Sequence, residues 1–151
     1  MKTLIILYSS HHHNTEKVAK MMAQTLDAIM KTPQQIIPEE IEKYDLIGFG
    51  SGIYNQRHHQ RLFDLVNKLP IQNQKKAFVF STSTFGMLVQ HKQLKEKLIE
   101  KGFNIVGEFS CPGFMNYSFI KYFFGGISKG RPNAKDIQKA TEFAKNIHEQ
   151  K

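Results

Sequence analysis

The sequence predicts an α/β protein built on a parallel sheet that carries helices on both faces. Strand-like and helix-like segments alternate along the chain, beginning with the apolar run Leu4–Tyr8. That run is continuously apolar rather than alternating, which is typical of a parallel strand buried on both faces. Segments with apolar residues three or four positions apart follow the strands and indicate helices. Because crossovers between parallel strands are right-handed, few windings remain open to such a chain.

The first helix is predicted from Thr15 onward, with Asn14 as its cap and Pro33 just beyond its end. Its inward face is drawn by the apolar positions Val18, Met22, Leu26, Ile29 and Met30. Gln35–Ile37 lies between Pro33 and Pro38, so we expect only a short strand there, near a sheet edge.

Three further strands are predicted at Tyr44–Gly50, Lys76–Ser81 and Phe103–Phe109. Pro70 ends the second helix, and Gly102 stands at the C′ position of the third. The inward faces of the three later helices consist, in order, of Leu62, Phe63, Leu65, Val66 and Leu69, then Leu94, Leu98 and Ile99, and finally Ile137, Ala140, Ala144 and Ile147.

Length and composition fit one domain over residues 1–151. The one cysteine, Cys111, has no partner for an internal disulfide and is expected as a buried thiol near a strand end, which favours a reducing compartment. The chain contains no apolar run long enough for a membrane span and no signal peptide, so a cytoplasmic location is expected. The net charge of +8 fits an anionic ligand, an acidic partner, nucleic acid or simply solubility. Because the basic residues are dispersed along the chain, a dedicated nucleic-acid tail is not expected.

Three loops follow predicted strands and are rich in Ser, Thr, Gly or Asn. They are Ser9–Thr15, Gly50–Asn55 and Ser81–Gly86. Ligands of open α/β sheets bind beyond the carboxyl ends of the strands, so these loops form the predicted binding site. The first loop opens into a helix, whose amino end attracts phosphate. We identify no catalytic side chain, no ATP phosphate-binding motif and no metal ligand set.

These loops carry a resemblance to a known family. The first reads Ser10-His11-His12-His13-Asn14-Thr15-Glu16, and it is followed later by Gly-Ser-Gly-Ile-Tyr, Phe-Ser-Thr-Ser and the segment Lys129–Asn133. Over essentially its full length the chain resembles flavodoxins and short flavodoxin-like FMN proteins, whose first loop reads Thr/Ser-x-Thr-Gly-Asn-Thr. The resemblance implies a flavodoxin-like, doubly wound, five-stranded parallel sheet of order 2-1-3-4-5 with helices on both faces.

The resemblance also implies FMN as the cofactor, with its phosphate at the first loop and its ring between the other two. Tyr54 is the first candidate for stacking on the ring and Phe85 the second, although Phe85 is equally expected in a core. Gly50 and Gly52 would permit a positive φ beside the ring. The implied FMN-binding residues are Ser9, Ser10, His11, His12, His13, Asn14, Thr15, Ser51, Gly52, Ile53, Tyr54, Asn55, Thr82, Ser83, Thr84, Phe85 and Gly86.

His12 and His13 replace the threonine and glycine of the family's first loop. An imidazole N–H can donate to phosphate, and histidine tolerates a positive φ better than most residues. A surface loop, a metal site and an expression tag are the alternatives for His11–His13. A tag belongs at a terminus, and consecutive loop residues diverge too much to share a metal.

Two further segments are candidate interaction surfaces. Arg57, His58, His59 and Arg61 form a basic cluster after the second loop, either at the rim of the pocket or as the solvated start of a helix. The aromatic segment Phe114–Phe124 is expected to pack on the domain, with a cover over the flavin, a dimer face and membrane contact as alternatives.

The function implied by the resemblance is an FMN flavoprotein that takes part in electron transport. The alternatives are an NAD(P)H-dependent FMN oxidoreductase acting on a quinone or another small acceptor, and an anion-binding module without redox activity. Flavodoxins tend to be acidic whereas this chain is basic, so the expected partner is an acidic redox protein or a small acceptor.

Overall fold

A computed structural model describes residues 1–9, 14–83, 86–112 and 132–149. The strands are β1 (Thr3–Tyr8), β2 (Ile29–Lys31), β3 (Leu46–Tyr54), β4 (Arg57–His58), β5 (Lys75–Ser83) and β6 (Phe103–Pro112). The helices are α1 (Asn14–Leu26), α2 (Gln60–Lys68), α3 (Lys92–Glu100) and α4 (Ala134–Glu149), with short 3-10 helices at Pro33–Gln35, Pro38–Lys43 and Leu88–His91.

The sheet confirms the predicted architecture. Its parallel strands lie in the order β2-β1-β3-β5-β6, and the two-residue β4 pairs antiparallel with β3 outside that path. Setting β4 aside, the order is the expected 2-1-3-4-5. The chain therefore winds outward in both directions from β1 and β3, and the switch point lies between those two strands.

Two apolar layers cover the sheet, one on each face. Side chains of β1, β3 and β5 that face α2 and α3 form the first, around Phe49. The opposite side chains pack against α1 and α4 around Phe78 and Phe80. The aromatic rings and apolar helix faces of these two layers supply most of the hydrophobic stabilisation, because the free energy gained on folding scales with the apolar area removed from water.

The predicted end of the first helix was wrong. The helix ends at Leu26, Asp27 has φ 51°, and the chain then pairs with β1 through β2, where Ile29 lies opposite Leu4. The strand expected at Gln35–Ile37 was also wrong, since Pro33–Gln35 forms a 3-10 helix and β2 is the edge strand. Pairing with β1 outweighs the helical spacing of Ile29 and Met30.

The remaining helices lie at their predicted positions, but Ile99, expected on the inward face of α3, is 58% exposed, so that expectation was wrong. α2 ends before Pro70, and Gly102 follows α3 with φ 89°. Asn133 caps α4, because its side-chain oxygen accepts from the Asp136 backbone N–H at 3.1 Å. Cys111 is a buried thiol in β6, as expected. All residues of the aromatic segment Phe114–Phe124 lie outside the part of the chain that the structure describes.

Gly50 is required by packing. A Cβ at Gly50 would overlap the Phe80 ring, which is fully buried and cannot move aside, whereas a Cβ at Gly52 would meet Tyr54 at an ordinary 3.5 Å. We therefore expect Gly50→Ala to lower the free energy of unfolding by about 1–3 kcal/mol, the usual cost of overpacking. Urea unfolding measures this effect, with Gly52→Ala as the matched control. Equal stabilities of the two variants would contradict the assignment.

Candidate functional site

The carboxyl ends of three neighbouring strands form the predicted site. In the sheet, Ser51 of β3 lies opposite Tyr8 of β1 on one side and Ser81 of β5 on the other. The segments that follow these three residues therefore begin side by side. Among the predicted site residues, Ser10, His11–His13 and Thr84–Phe85 lie outside the described residues.

A hydrogen bond links the first segment to the third. The side-chain oxygens of Thr15 and Thr82 lie 2.8 Å apart, and both residues are buried. Thr15 is the second residue of α1, so the bond fixes the amino end of that helix beside the end of β5. Asn14, which begins the helix, is buried there as well.

Ser9 provides the sharpest sign of a ligand. Its Oγ is buried and has no hydrogen-bond partner within the described ranges. A buried hydroxyl without a partner costs about 1–3 kcal/mol, and a ligand oxygen would remove that cost. The amino end of α1 follows in the chain, so an anionic group at this position would also meet a favourable helix dipole.

The second segment is a hairpin rather than the loop expected at Gly50–Asn55. β3 continues through Tyr54, and the chain turns at Asn55 and Gln56, which have φ 51° and 67°. Gly52 lies inside the strand, and its φ is not positive in this structure. Ser51 holds the hairpin closed, because its Oγ accepts from the His59 backbone N–H at 3.0 Å.

Tyr54, the expected stacking residue, lies in a small cluster of rings. His59 stacks on Tyr8 with a centroid distance of 3.9 Å and meets Tyr54 edge-on at 4.8 Å. The Arg61 guanidinium lies 5.5 Å from the centroid of the Tyr8 ring. Burial and, to a lesser degree, the charge of Arg61 lower the pKa of His59. Tyr8 is a neighbour of the predicted site that the sequence did not single out, whereas His59 and Arg61 belong to the basic cluster for which the pocket rim was one expectation.

In the third segment, the residues on either side of Thr84–Phe85 are held in place by hydrogen bonding and close packing. β5 continues through Ser83, beyond the predicted strand end at Ser81. The Ser83 Oγ accepts from the Gly86 backbone N–H at 2.9 Å. Gly86 has φ 62°, and a Cβ there would meet the backbone of Cys111 at 2.9 Å, so this position requires glycine.

Only part of the predicted basic cluster faces outward. His58 lies in β4, is buried, and has its Nε2 2.9 Å from the Phe80 carbonyl oxygen. Burial, together with the neighbouring His91, lowers the pKa of His58 to about 3. Arg57 is half-buried and lies over the Phe63 ring at 3.8 Å from its centroid. The expectation that His58 lines the rim or a solvated helix turn was therefore wrong.

The structure also contains a buried polar group that the sequence analysis missed. Ser81 Oγ lies 2.6 Å from His91 Nε2, and His91 Nδ1 lies 3.1 Å from Glu108 Oε1. These residues come from β5, the third 3-10 helix and β6, so no spacing in the sequence marks them.

The described part of the chain contains neither a metal-binding cluster nor a helix that could span a membrane. No group of three or more His, Cys, Asp or Glu side chains there is arranged to hold a metal ion. None of the helices assigned there combines the length and apolar character of a membrane span.

The strand order and the helices on both faces define a doubly wound α/β protein, and the predicted site lies at its switch point. A family model described as "Flavodoxin domain" matches residues 5–121, so the chain belongs to the flavodoxin domain family. It is 50% identical over 149 residues to an uncharacterized protein of Methanocaldococcus jannaschii, covering 97% of this chain and 98% of that one.

Solved structures share this fold. A flavodoxin from the domain Archaea has a TM-score of 0.73 at 15% identity, covering 99% of this chain and 98% of its own. A flavodoxin of Fusobacterium nucleatum, solved with flavin mononucleotide bound, has a TM-score of 0.69 at 14% identity, covering 99% of both chains.

The low pKa of His58 makes folding sensitive to acid. The unfolded chain takes up a proton near pH 6.5, whereas folded His58 resists it until about pH 3. Stability is therefore complete above the unfolded pKa and falls as the pH is lowered, with His58 contributing at most about 1.4 kcal/mol per pH unit.

We expect His58→Gln, whose amide N–H still reaches the Phe80 carbonyl, to flatten this acid dependence. Urea unfolding at a series of pH values from neutral to acid measures the slope. His148→Gln, at an exposed position near the end of α4, is the control and should keep the wild-type slope. Identical slopes for wild type and His58→Gln would contradict the burial argument.

Proposed function

We propose that this protein binds FMN at the carboxyl edge of the sheet and carries electrons in the cytoplasm. The hydrogen bond between Thr15 and Thr82 is the observation that carries the proposal, and the buried Ser9 Oγ, which has no partner among the residues that the structure describes, supports it. It joins the first and third segments at the switch point of a flavodoxin-domain fold. Bound FMN supplies the redox chemistry, while the protein binds and orients it.

The chain's own groups divide this task among the three segments. The phosphate belongs at Ser9–Thr15, between a buried hydroxyl that has no partner among the described residues and the amino end of α1. The ring belongs between the hairpin, at Ser51–Asn55, and the third segment, at Thr82–Gly86. Tyr54 meets His59 edge-on, so this pair rather than Tyr54 alone would present the aromatic surface to the ring.

The phosphate assignment is tested with Ser9→Ala. The hydrogen bond from a hydroxyl to a charged phosphate is worth about 1.5–3 kcal/mol, so we expect FMN affinity to fall roughly 10-fold or more. Titration of flavin-free protein with FMN, followed by flavin fluorescence, measures the dissociation constant. Thr25→Ala is the control, because the Thr25 hydroxyl donates within α1 to the Met21 carbonyl.

Wild-type protein that ignores added FMN would overturn the proposal and favour an anion-binding role without redox activity. Steady oxidation of NAD(P)H by the purified holoprotein alone would instead favour the oxidoreductase that reduces a quinone or another small acceptor.

We infer further that the redox partner is an acidic protein that docks at the same edge. Met87, Leu88 and Val89 form an exposed apolar patch next to the hairpin, and Gln90 joins that segment to the hairpin turn through a 3.1 Å hydrogen bond to Gln56. The cations Arg57 and Arg61 flank the hairpin, and the chain as a whole carries +8. An apolar centre with a basic surround fits a partner of opposite charge.

Electron-transfer rates test this inference. We expect reduced holoprotein to react faster with an acidic iron–sulfur protein than with a basic c-type cytochrome, and added salt should slow only the first reaction. Val89→Glu should slow it several-fold more than Ile71→Glu does. Both positions are open, at 67% and 70% exposed, but Ile71 precedes β5 at the opposite edge of the sheet. Equal effects of the two variants would place the docking surface elsewhere.

A further inference from the structure

A chain of polar side chains runs beside the end of β5, on the face that α3 covers. Ser110 Oγ lies 3.1 Å from Ser81 Oγ, which lies 2.6 Å from His91 Nε2. His91 Nδ1 lies 3.1 Å from Glu108 Oε1, and the Lys95 ammonium lies 2.9 Å from Glu108 Oε2. Ser81 and His91 are fully buried, whereas Glu108 and Lys95 reach solvent.

The carboxylate fixes the direction of these hydrogen bonds. Glu108 only accepts, so neutral His91 carries its proton on Nδ1 and its lone pair on Nε2. The Ser81 hydroxyl then donates to His91, and Ser81 accepts in turn from Ser110. Every donor in the chain points toward Glu108.

Ser81, His91 and Glu108 have the contact order of a hydrolytic triad, but they do not form one. The Ser81 hydroxyl is buried, and its second hydrogen bond is taken by Ser110. A nucleophile must reach its substrate, and this oxygen reaches none. The chain needs another explanation.

His58 lies next to this row of hydrogen-bonded side chains, and its own contacts determine which of the two histidines can take up a proton. Its ring centroid is 4.9 Å from that of His91. The Phe80 carbonyl accepts from His58 Nε2, so Nδ1 holds the lone pair, and that nitrogen has no partner within the described residues. None of the carboxylates in the described part of the chain contacts His58, which stays neutral, whereas His91 has Glu108 as a counter-ion.

The charged groups around His91 act in both directions. Burial lowers the pKa of His91 most, and Lys95 lowers it further, whereas the charge and hydrogen bond of Glu108 raise it. From β4 come His58 and the cation Arg57; α3 also carries Lys92, 4.0 Å from Glu96, and β5 offers the uncharged Ser81. His91 is therefore neutral at neutral pH, and the neighbouring Glu108 carboxylate would stabilise its protonated form.

We propose that His91 is a redox-linked proton acceptor, which gains a proton at Nε2 when an electron reaches the flavin site. This rests on the proposed function, since Ser81 directly precedes Thr82, one of the proposed FMN contacts. A negative charge arriving at that edge favours a positive charge nearby in a medium of low dielectric. Glu108 already holds the His91 ring in the orientation that an imidazolium needs. His91 can therefore take up the proton without turning, and it carries the positive charge itself.

The proton and electron balance is simple. The electrons that reduce the flavin site come from the redox partner, or from dithionite in the test, and the one proton that His91 gains comes from solvent at the half-buried Ser110. Ser110 passes its own proton to Ser81 as it takes up the new one, and Ser81 passes its proton to His91. One N–H bond forms at Nε2, each hydroxyl keeps one proton, and the chain now donates toward Ser110.

Histidine NMR tests this inference in the FMN-loaded protein. Titration of ¹⁵N-labelled imidazoles is compared between the oxidised protein and protein fully reduced with dithionite. We expect the His91 pKa to rise on reduction by about one unit or more, the size of effect that an opposite charge produces. The midpoint potential should become more positive as the pH falls through the same range.

Charge-matched variants separate the proposal from a structural role. Glu108→Gln should keep His91 neutral in both redox states and abolish the shift, whereas Glu96→Gln, on the exposed face of α3, should preserve it. Lys95→Gln removes an opposing charge at a half-buried position, so it should raise the His91 pKa in both states. These last two variants keep the test open should Glu108→Gln fail to fold.

An unchanged His91 pKa in protein that binds FMN and is visibly reduced would overturn this inference while leaving the proposed function intact. Failure to bind FMN at all would overturn the proposed function instead.

Discussion

The position of β3 between β1 and β5 is the constraint on which the site depends. Main-chain hydrogen bonds on both sides of β3 hold Ser51 level with Tyr8 and Ser81, so three segments that are distant in sequence begin in one row. Everything proposed for this edge follows from that alignment. The bond between Thr15 and Thr82 extends it to the amino end of α1, and the Ser81–His91 contact extends it to the far face of the sheet.

The fold class could be predicted because buried parallel strands and amphipathic helices leave strong local patterns. Boundaries were weaker where two patterns overlap. Ile29 and Met30 continue the helical spacing of α1, but Asp27 adopts φ 51° and the chain enters β2. Pairing with Leu4–Ile6 decides that outcome, and a partner strand is invisible to any local window.

The site was predictable in outline and not in detail. Composition marked the three segments, because Ser, Thr, Gly and Asn collect after strands that end at one edge. It could not show that Asn55 and Gln56 turn the second segment into a hairpin, and that turn carries His58 into the interior. The polar chain of Ser81, His91 and Glu108 left no signal either, since its neighbours are 10 and 17 positions apart and meet only through tertiary packing.

The edge strand β2 is only three residues long, whereas β1 beside it has six. An outer strand exposes amide and carbonyl groups that another polypeptide could use to extend the sheet, and a long, flat one invites fibril growth. Here the exposed ladder is too brief to guide such an addition, and it ends in the charged Lys31. The brevity of β2 thus disfavours the addition of a strand at that edge of the sheet, opposite the edge formed by β6.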